Sequence, residues 1–217
     1  MHDAQEQNTQ GRGAQGQGAQ GQGINAQNSM ENSMENSKQP HHAGSAAPAA
    51  KVMDQETLDF IRGVFEVVRA GDAEHLQSLL DKGMPANFRN QKGDSLIMLA
   101  AYHGHLETAR ALLKAGADPE VQNDMGQTPL AGAAYKGNMP MVSLLLEHGA
   151  HVEGISPDGK TAAMFAAMFN RTEILALLLE RGARIDARDS RGMSPIDLAR
   201  KMGATDTLAL LESRGAA

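Results

Sequence analysis

The sequence predicts an all-α solenoid of about five stacked helix-turn-helix units with short β-turn hairpin tips, preceded by a disordered tail. Three observations carry this. Glycine recurs in three phases at one period: Gly83, Gly116, Gly149, Gly182 and Gly215; Gly93, Gly126, Gly159 and Gly192; and Gly71, Gly104, Gly137 and Gly203, with Asn170 in the one gap, all at steps of 33. A hydroxyl residue follows each glycine of the second series by two positions: Ser95, Thr128, Thr161 and Ser194. A leucine pair recurs at Leu112-Leu113, Leu145-Leu146, Leu178-Leu179 and Leu210-Leu211. A fixed period of this length marks a stack of units, none of which can bury its apolar face alone.

The elements follow in chain order. Residues 1–50 repeat Ala-Gln-Gly-Gln-Gly and then Asn-Ser-Met-Glu units, with almost no large apolar residue. Burial there cannot offset the entropy of ordering, so a flexible, disordered extension is expected. Residues 51–217 form the repeat domain, with units at about 57–89, 90–122, 123–155, 156–188 and 189–217. The opening helix begins near Asp54 and places Leu58, Ile61, Val64, Phe65 and Val68 on one face.

Each later unit opens on a type I turn: Asn90 to Gly93, Asn123 to Gly126, Ser156 to Gly159 and Asp189 to Gly192. The hydroxyl then caps a short inner helix, with Pro129 and Pro195 at the first helical position in two units. Alanines of the inner helix (Ala100-Ala101, Ala133-Ala134, Ala166-Ala167) let neighbours approach, and the paired leucines of the outer helix fill the space between units. Gly-Ala at 116–117, 149–150, 182–183 and 215–216 supplies the stop. The first and last units are caps, and Asp197 and Arg200 bring charge to the final one.

Composition limits the function classes. Aromatics make up 3% of the 217 residues and there is no tryptophan, so the core must be Leu, Ala, Val, Ile and Met. Without cysteine there is no disulfide, thiolate metal site or cysteine nucleophile. A net charge of −6 gives no electrostatic reason to expect nucleic acid or an anionic membrane as partner. No run approaches a spanning helix and the first residues lack a secretory signal, so a soluble cytoplasmic protein is expected, with a secreted effector as the alternative.

Gly126-Gln127-Thr128-Pro129-Leu130, Gly104-His105 and the run Leu112-Leu113-Lys114-Ala115-Gly116-Ala117 resemble the ankyrin-repeat family, and in particular small single-domain bacterial members, over roughly 57–217. Departures are Met98, Ala131, Met164 and Asp197 where that family carries a histidine, and Leu96 and Ala162 at its proline position. The resemblance implies a non-enzymatic protein-interaction module without cofactor, probing a partner protein through a concave face. By phase, it assigns to that face the turn-tip residues Gln91, Lys92, Asp94, Asp124, Met125, Gln127, Asp158, Lys160, Arg191 and Met193. The inner-helix positions it assigns are Tyr102, His103, Tyr135, Lys136, Met168 and Phe169. Tyr102 and Tyr135, the two tyrosines of the chain, share a phase with Met168 and are expected to form a contact ladder; flat packing over the helix ends is the alternative. A monomer is expected, with a self-assembling structural protein as a further reading.

Two motifs suggest other chemistry. Gly154 to Thr161 matches the P-loop pattern, which would make a nucleotide-dependent switch or enzyme using Lys160. Gly159 and Thr161 already belong to the repeat, Pro157 removes a cradle N–H, and no buried strand is expected before it. The dinucleotide-like glycines from Gly11 to Gly21 arise from the low-complexity period. His103 and His105 do not share a helical face, and no carboxylate cluster completes a metal set.

Overall fold

The computed structural model describes residues 54–215, so the expected tail over 1–50 lies outside the described residues. Ten helices form five antiparallel pairs among those residues: α1 (Gln55–Ala70) with α2 (Ala73–Asp81), α3 (Leu96–His103) with α4 (Leu106–Lys114), α5 (Pro129–Lys136) with α6 (Met139–Glu147), α7 (Ala162–Met168) with α8 (Thr172–Glu180), and α9 (Pro195–Met202) with α10 (Thr205–Gly215). The first of each pair packs on the first of the next, and the second on the second, giving two layers.

Helix α1 starts where Asp54 accepts the backbone N–H of Thr57 at 2.7 Å. Its buried face is Val64, Phe65 and Val68, with Leu58 and Ile61 half-buried. Ser95, Thr128, Thr161 and Ser194 each accept the N–H three residues on, capping the inner helices as their spacing predicts. In the last unit the cap is reciprocal: the Asp197 carboxylate accepts the Ser194 N–H at 3.0 Å.

The turns between units are hydrogen-bonded fingers. Gly93 N–H donates to the Asn90 carbonyl at 3.0 Å, and Gly126, Gly159 and Gly192 repeat the bond to Asn123, Ser156 and Asp189. The side-chain oxygen of the first turn residue stiffens the loop from inside: Asn90 Oδ1 accepts from Lys92 and Asp94 N–H, both at 2.9 Å. Isolated antiparallel bridges, Arg89 with Ser95 and Ile155 with Thr161, are the hairpin character of these tips.

Ala100, Ala101, Ala133, Ala134, Ala166 and Ala167 are fully buried, as are Leu112, Leu145 and Leu178. Small side chains let the inner layer close while leucines occupy the wider outer gap. Met98 and Met164 are buried where the resemblance expects a histidine, so those positions supply packing volume here.

Two details depart from simple repetition. Gly215, expected to end the last outer helix, is helical and lacks the positive φ of its four phase-mates; glycine permits a left-handed exit without imposing one. Asn170, at φ 55, is left-handed like the glycines of its series. Its Oδ1 accepts N–H from Asp206 at 3.0 Å and Thr207 at 3.1 Å, and its Nδ2 donates to Asp206 at 2.8 Å. The residue before α10 is Ala204, which has no capping group, so Asn170 caps that helix from the preceding unit.

Candidate functional site

The residues placed by phase on the concave face divide into a buried set and an exposed set. Asp94, Gln127 and Lys160 are buried and hold fingers together. Asp94 accepts from Asn90 Nδ2 at 2.9 Å and, across the unit boundary, from Asn123 Nδ2 at 2.7 Å. Gln127 Oε1 accepts from the same Asn123 amide at 2.9 Å. The Lys160 ammonium donates to Asp158 and lies 4.0 Å from Asp189 in the next finger. Their expected place on a contact surface is therefore corrected: each side chain turns inward to a neighbouring polar group, which satisfies it out of water.

Burial also sets the electrostatics of these groups. Loss of solvent raises the Asp94 pKa above the ordinary carboxylate value, although the two asparagine amides pull the other way. At Asp158 burial would do the same, but hydrogen bonds from Lys160 and Ser156 outweigh it and hold the carboxyl below its ordinary value.

The expected tyrosine ladder is corrected in the same way. Tyr102 and Tyr135 are each 4% exposed and Met168 6%, because they lie between successive inner helices. Tyr135 meets Phe169 edge to face at 4.8 Å, and the Lys136 ammonium sits 4.1 Å above the Tyr102 ring and 5.6 Å from that of Tyr135. The tyrosines support the surface from beneath; the residues after them in sequence reach solvent. His103 and Lys136 are exposed and Phe169 is half-buried.

At the finger tips Gln91, Asp124, Met125, Asp158 and Arg191 are exposed, while Lys92 and Met193 are half-buried. Backbone bonds join the tips: Asp124 N–H donates to the Lys92 carbonyl at 3.0 Å and Ser190 N–H to Asp158 at 2.9 Å. The intervening junction carries Pro157, which has no N–H to give; its ring sits where a Cβ on Gly126 would fall, 2.3 Å from Pro157 Cδ. Beside that junction Met125 is 44% exposed and Ile155 55%. Ile155 was not among the residues expected at the surface site. It stands in phase with Arg89, Gln122 and Arg188, so an apolar residue at an otherwise polar position was its signal in the sequence.

The P-loop-like segment is the third of these fingers. Gly154 donates its N–H to the His151 carbonyl at 3.0 Å within a turn, and Lys160 is engaged by carboxylates of the fingers. Among the described residues no three His, Asp or Glu side chains form a metal-binding group, and no helix is long and apolar enough to cross a membrane. An open groove of about 610 Å³ runs between the ends of α3 and α5 and is lined by Tyr102, His103, Lys136, Asn138 and Met139.

Comparison with known proteins agrees with this architecture. The family description "Ankyrin repeats (3 copies)" matches residues 64–156, and "Ankyrin repeats (many copies)" matches 145–199. A Pseudomonas aeruginosa protein named "Putative ankyrin repeat protein PA3287" is 55% identical over 56 residues, which are 26% of this chain and 33% of that protein. The aligned stretch thus spans about a third of the relative's length. With paired helices, finger turns and glycine phases all in register with these matches, the chain belongs to the ankyrin-repeat family.

Proposed function

We propose that this chain is a non-enzymatic module that holds a partner protein against the finger tips and exposed inner-helix residues of its concave face. Ankyrin repeats are in general protein–protein interaction modules. The observation that carries the reading here is the exposure of Met125 and Ile155 beside Pro157, two of the three large apolar side chains exposed among the described residues, Phe60 on α1 being the third. An apolar group held in water on a rigid turn gains free energy when a partner covers it, and little ordering entropy is lost in doing so. Asp124 and Arg191 offer charged flanks at the same tips, and Phe169 extends the apolar surface along the inner helices.

The test uses the purified full chain as bait, with a Met125→Asp, Phe169→Asp variant beside it. The variant is expected to recover its main partner at least tenfold less well, the loss from truncating a contact centre of roughly 1.4 kcal/mol or more. Thermal unfolding of a Met125→Asp single variant should match the parent, since that side chain is exposed, whereas Phe169→Asp also gives up the edge-to-face contact with Tyr135 and should lower the unfolding temperature. Equal recovery by both baits would refute the concave-face reading.

A further inference from the structure

We propose that the groove between the ends of α3 and α5 selects a carboxylate-bearing segment of the partner protein, with Lys136 as the residue that reads the charge. This rests on the interaction reading above and deepens it by naming the chemistry of what binds.

The argument starts from where the chain leaves its positive charge. Lys160 belongs to the same concave side, yet its ammonium is spent on Asp158 within the finger. Lys136 is different. Among the described residues no carboxylate lies within 4.0 Å of its Nζ, which rests above two ring faces, 4.1 Å from the Tyr102 centroid and 5.6 Å from that of Tyr135. Ring faces attract a cation through their quadrupole but accept no conventional hydrogen bond, so the N–H groups turned away from them are available to an acceptor.

The two tyrosines are buried and fixed, which makes the ammonium a positioned charge in place of a freely swinging one. Much of the entropy that a surface lysine loses in forming an ion pair is already lost before a partner arrives. The groove around it is large enough to admit a side chain, at about 610 Å³, and none of its lining residues is acidic. His103 adds an imidazole to the same wall, and Asn138 adds an amide that can donate.

A second cation extends the field into the next unit. Arg171 is exposed, and among the described residues it too has no carboxylate within 4.0 Å. Its guanidinium lies against Gly137, the glycine that directly follows Lys136: a Cβ built there would be 2.7 Å from Arg171 Nε. Among the described residues no carboxylate of this chain lines the groove: Asp124 and Asp158 stand at the finger tips, and Asp72 and Asp206 at the loops of the first and last pairs. The edge of the groove at Lys136 and Arg171 is therefore locally cationic although the whole chain carries −6. Charge complementarity selects an acidic segment for that edge, and like-charge repulsion excludes a basic one.

The experiment titrates the full-length chain with two labelled, amidated peptides of equal length, one alternating Glu and Ala, the other alternating Gln and Ala. The Glu peptide is expected to bind at least tenfold more tightly than the Gln peptide at low salt, with the margin shrinking as salt is added. Lys136→Met, which keeps the apolar stem over the tyrosines, should remove most of that margin, and Lys136→Arg should retain it. Thermal unfolding of each variant separates a lost charge from a lost fold. Equal binding of the two peptides, or an unchanged margin in Lys136→Met, would overturn the proposal. A bait that still loses its partner through Met125→Asp and Phe169→Asp, while showing no such margin, would leave the interaction reading intact and sink only this one.

Discussion

Asp94 and Asp197 titrate in opposite directions because of where each carboxylate sits. Asp94 is fully buried between Asn90 and Asn123, and burial raises its pKa. Its contribution to stability is therefore complete below the unfolded carboxylate pKa of about 3.9 and is lost as pH rises through the higher folded value. Asp197 is bonded first by the Ser194 hydroxyl and then by the Ser194 N–H, and these lower its pKa. Its contribution is present above about pH 4 and is lost as pH falls through the folded value. Stability measured by urea unfolding from pH 3 to 7 should accordingly respond in two ways. Asp94→Asn should make the slope above about pH 4 more positive, and Asp197→Asn should flatten the acid limb. If both variants bend the curve alike, the assigned environments are wrong. Asp94→Ala is a harsher change: it strips an acceptor from the buried Asn123 amide and another from the half-buried Asn90 amide, and should cost roughly 1–3 kcal/mol. These inward roles were not legible in the sequence. Phase places Asp94, Gln127 and Lys160 at one position of the unit, but which way each side chain turns is decided by Asn123, Asp158 and Asp189 nearby.

Helix termini and turns, by contrast, were legible almost throughout, because they are set by neighbours in sequence. Ser95, Thr128, Thr161 and Ser194 cap the helices their spacing assigns to them. Asn170 shows where that local reading stops. As a member of the glycine series it reads as the next-best residue for a left-handed exit. Its second role, capping α10 over Ala204, joins residues 36 and 37 positions apart and leaves no local trace. The two roles give opposing expectations for Asn170→Gly. If the left-handed φ alone mattered, glycine would stabilise slightly. Because α10 would lose the Asn170 acceptor at its N-terminus, we expect a net loss of about 1 kcal/mol, typical of a removed cap. Asn170→Ala, which loses the cap and strains the backbone as well, should lose more. A glycine variant as stable as the parent, measured by thermal unfolding, would show that the cross-unit cap contributes nothing.

Across the whole molecule, each helix pair meets only the pairs before and after it, so stability is close to a sum of units and boundaries. The glycine period announced this stack, while the surface it exposes depended on departures from the period: Pro157 in place of an N–H donor, Ile155 in a polar phase, and Lys136 between a histidine and a phenylalanine. Repetition fixes a backbone, and the exceptions decide what that backbone offers. The same neighbour-only geometry predicts how the stack should fail. Leu145 and Leu211 are both fully buried leucines of outer helices, one in the middle of the stack and one in its last pair. Truncation to alanine removes similar volume at each site and costs roughly 2–5 kcal/mol locally. At Leu145 the damaged pair has neighbours on both sides, so the loss should lower the denaturant midpoint of a single transition. At Leu211 the damaged pair has one neighbour, and α9 and α10 can fray while the remaining pairs stay folded. Hydrogen exchange followed residue by residue should then show fast exchange confined to 195–215 in Leu211→Ala, and a general rise in Leu145→Ala. Uniform loss of protection in both variants would mean that the five pairs fold as one indivisible unit, and the additive picture would have to be abandoned.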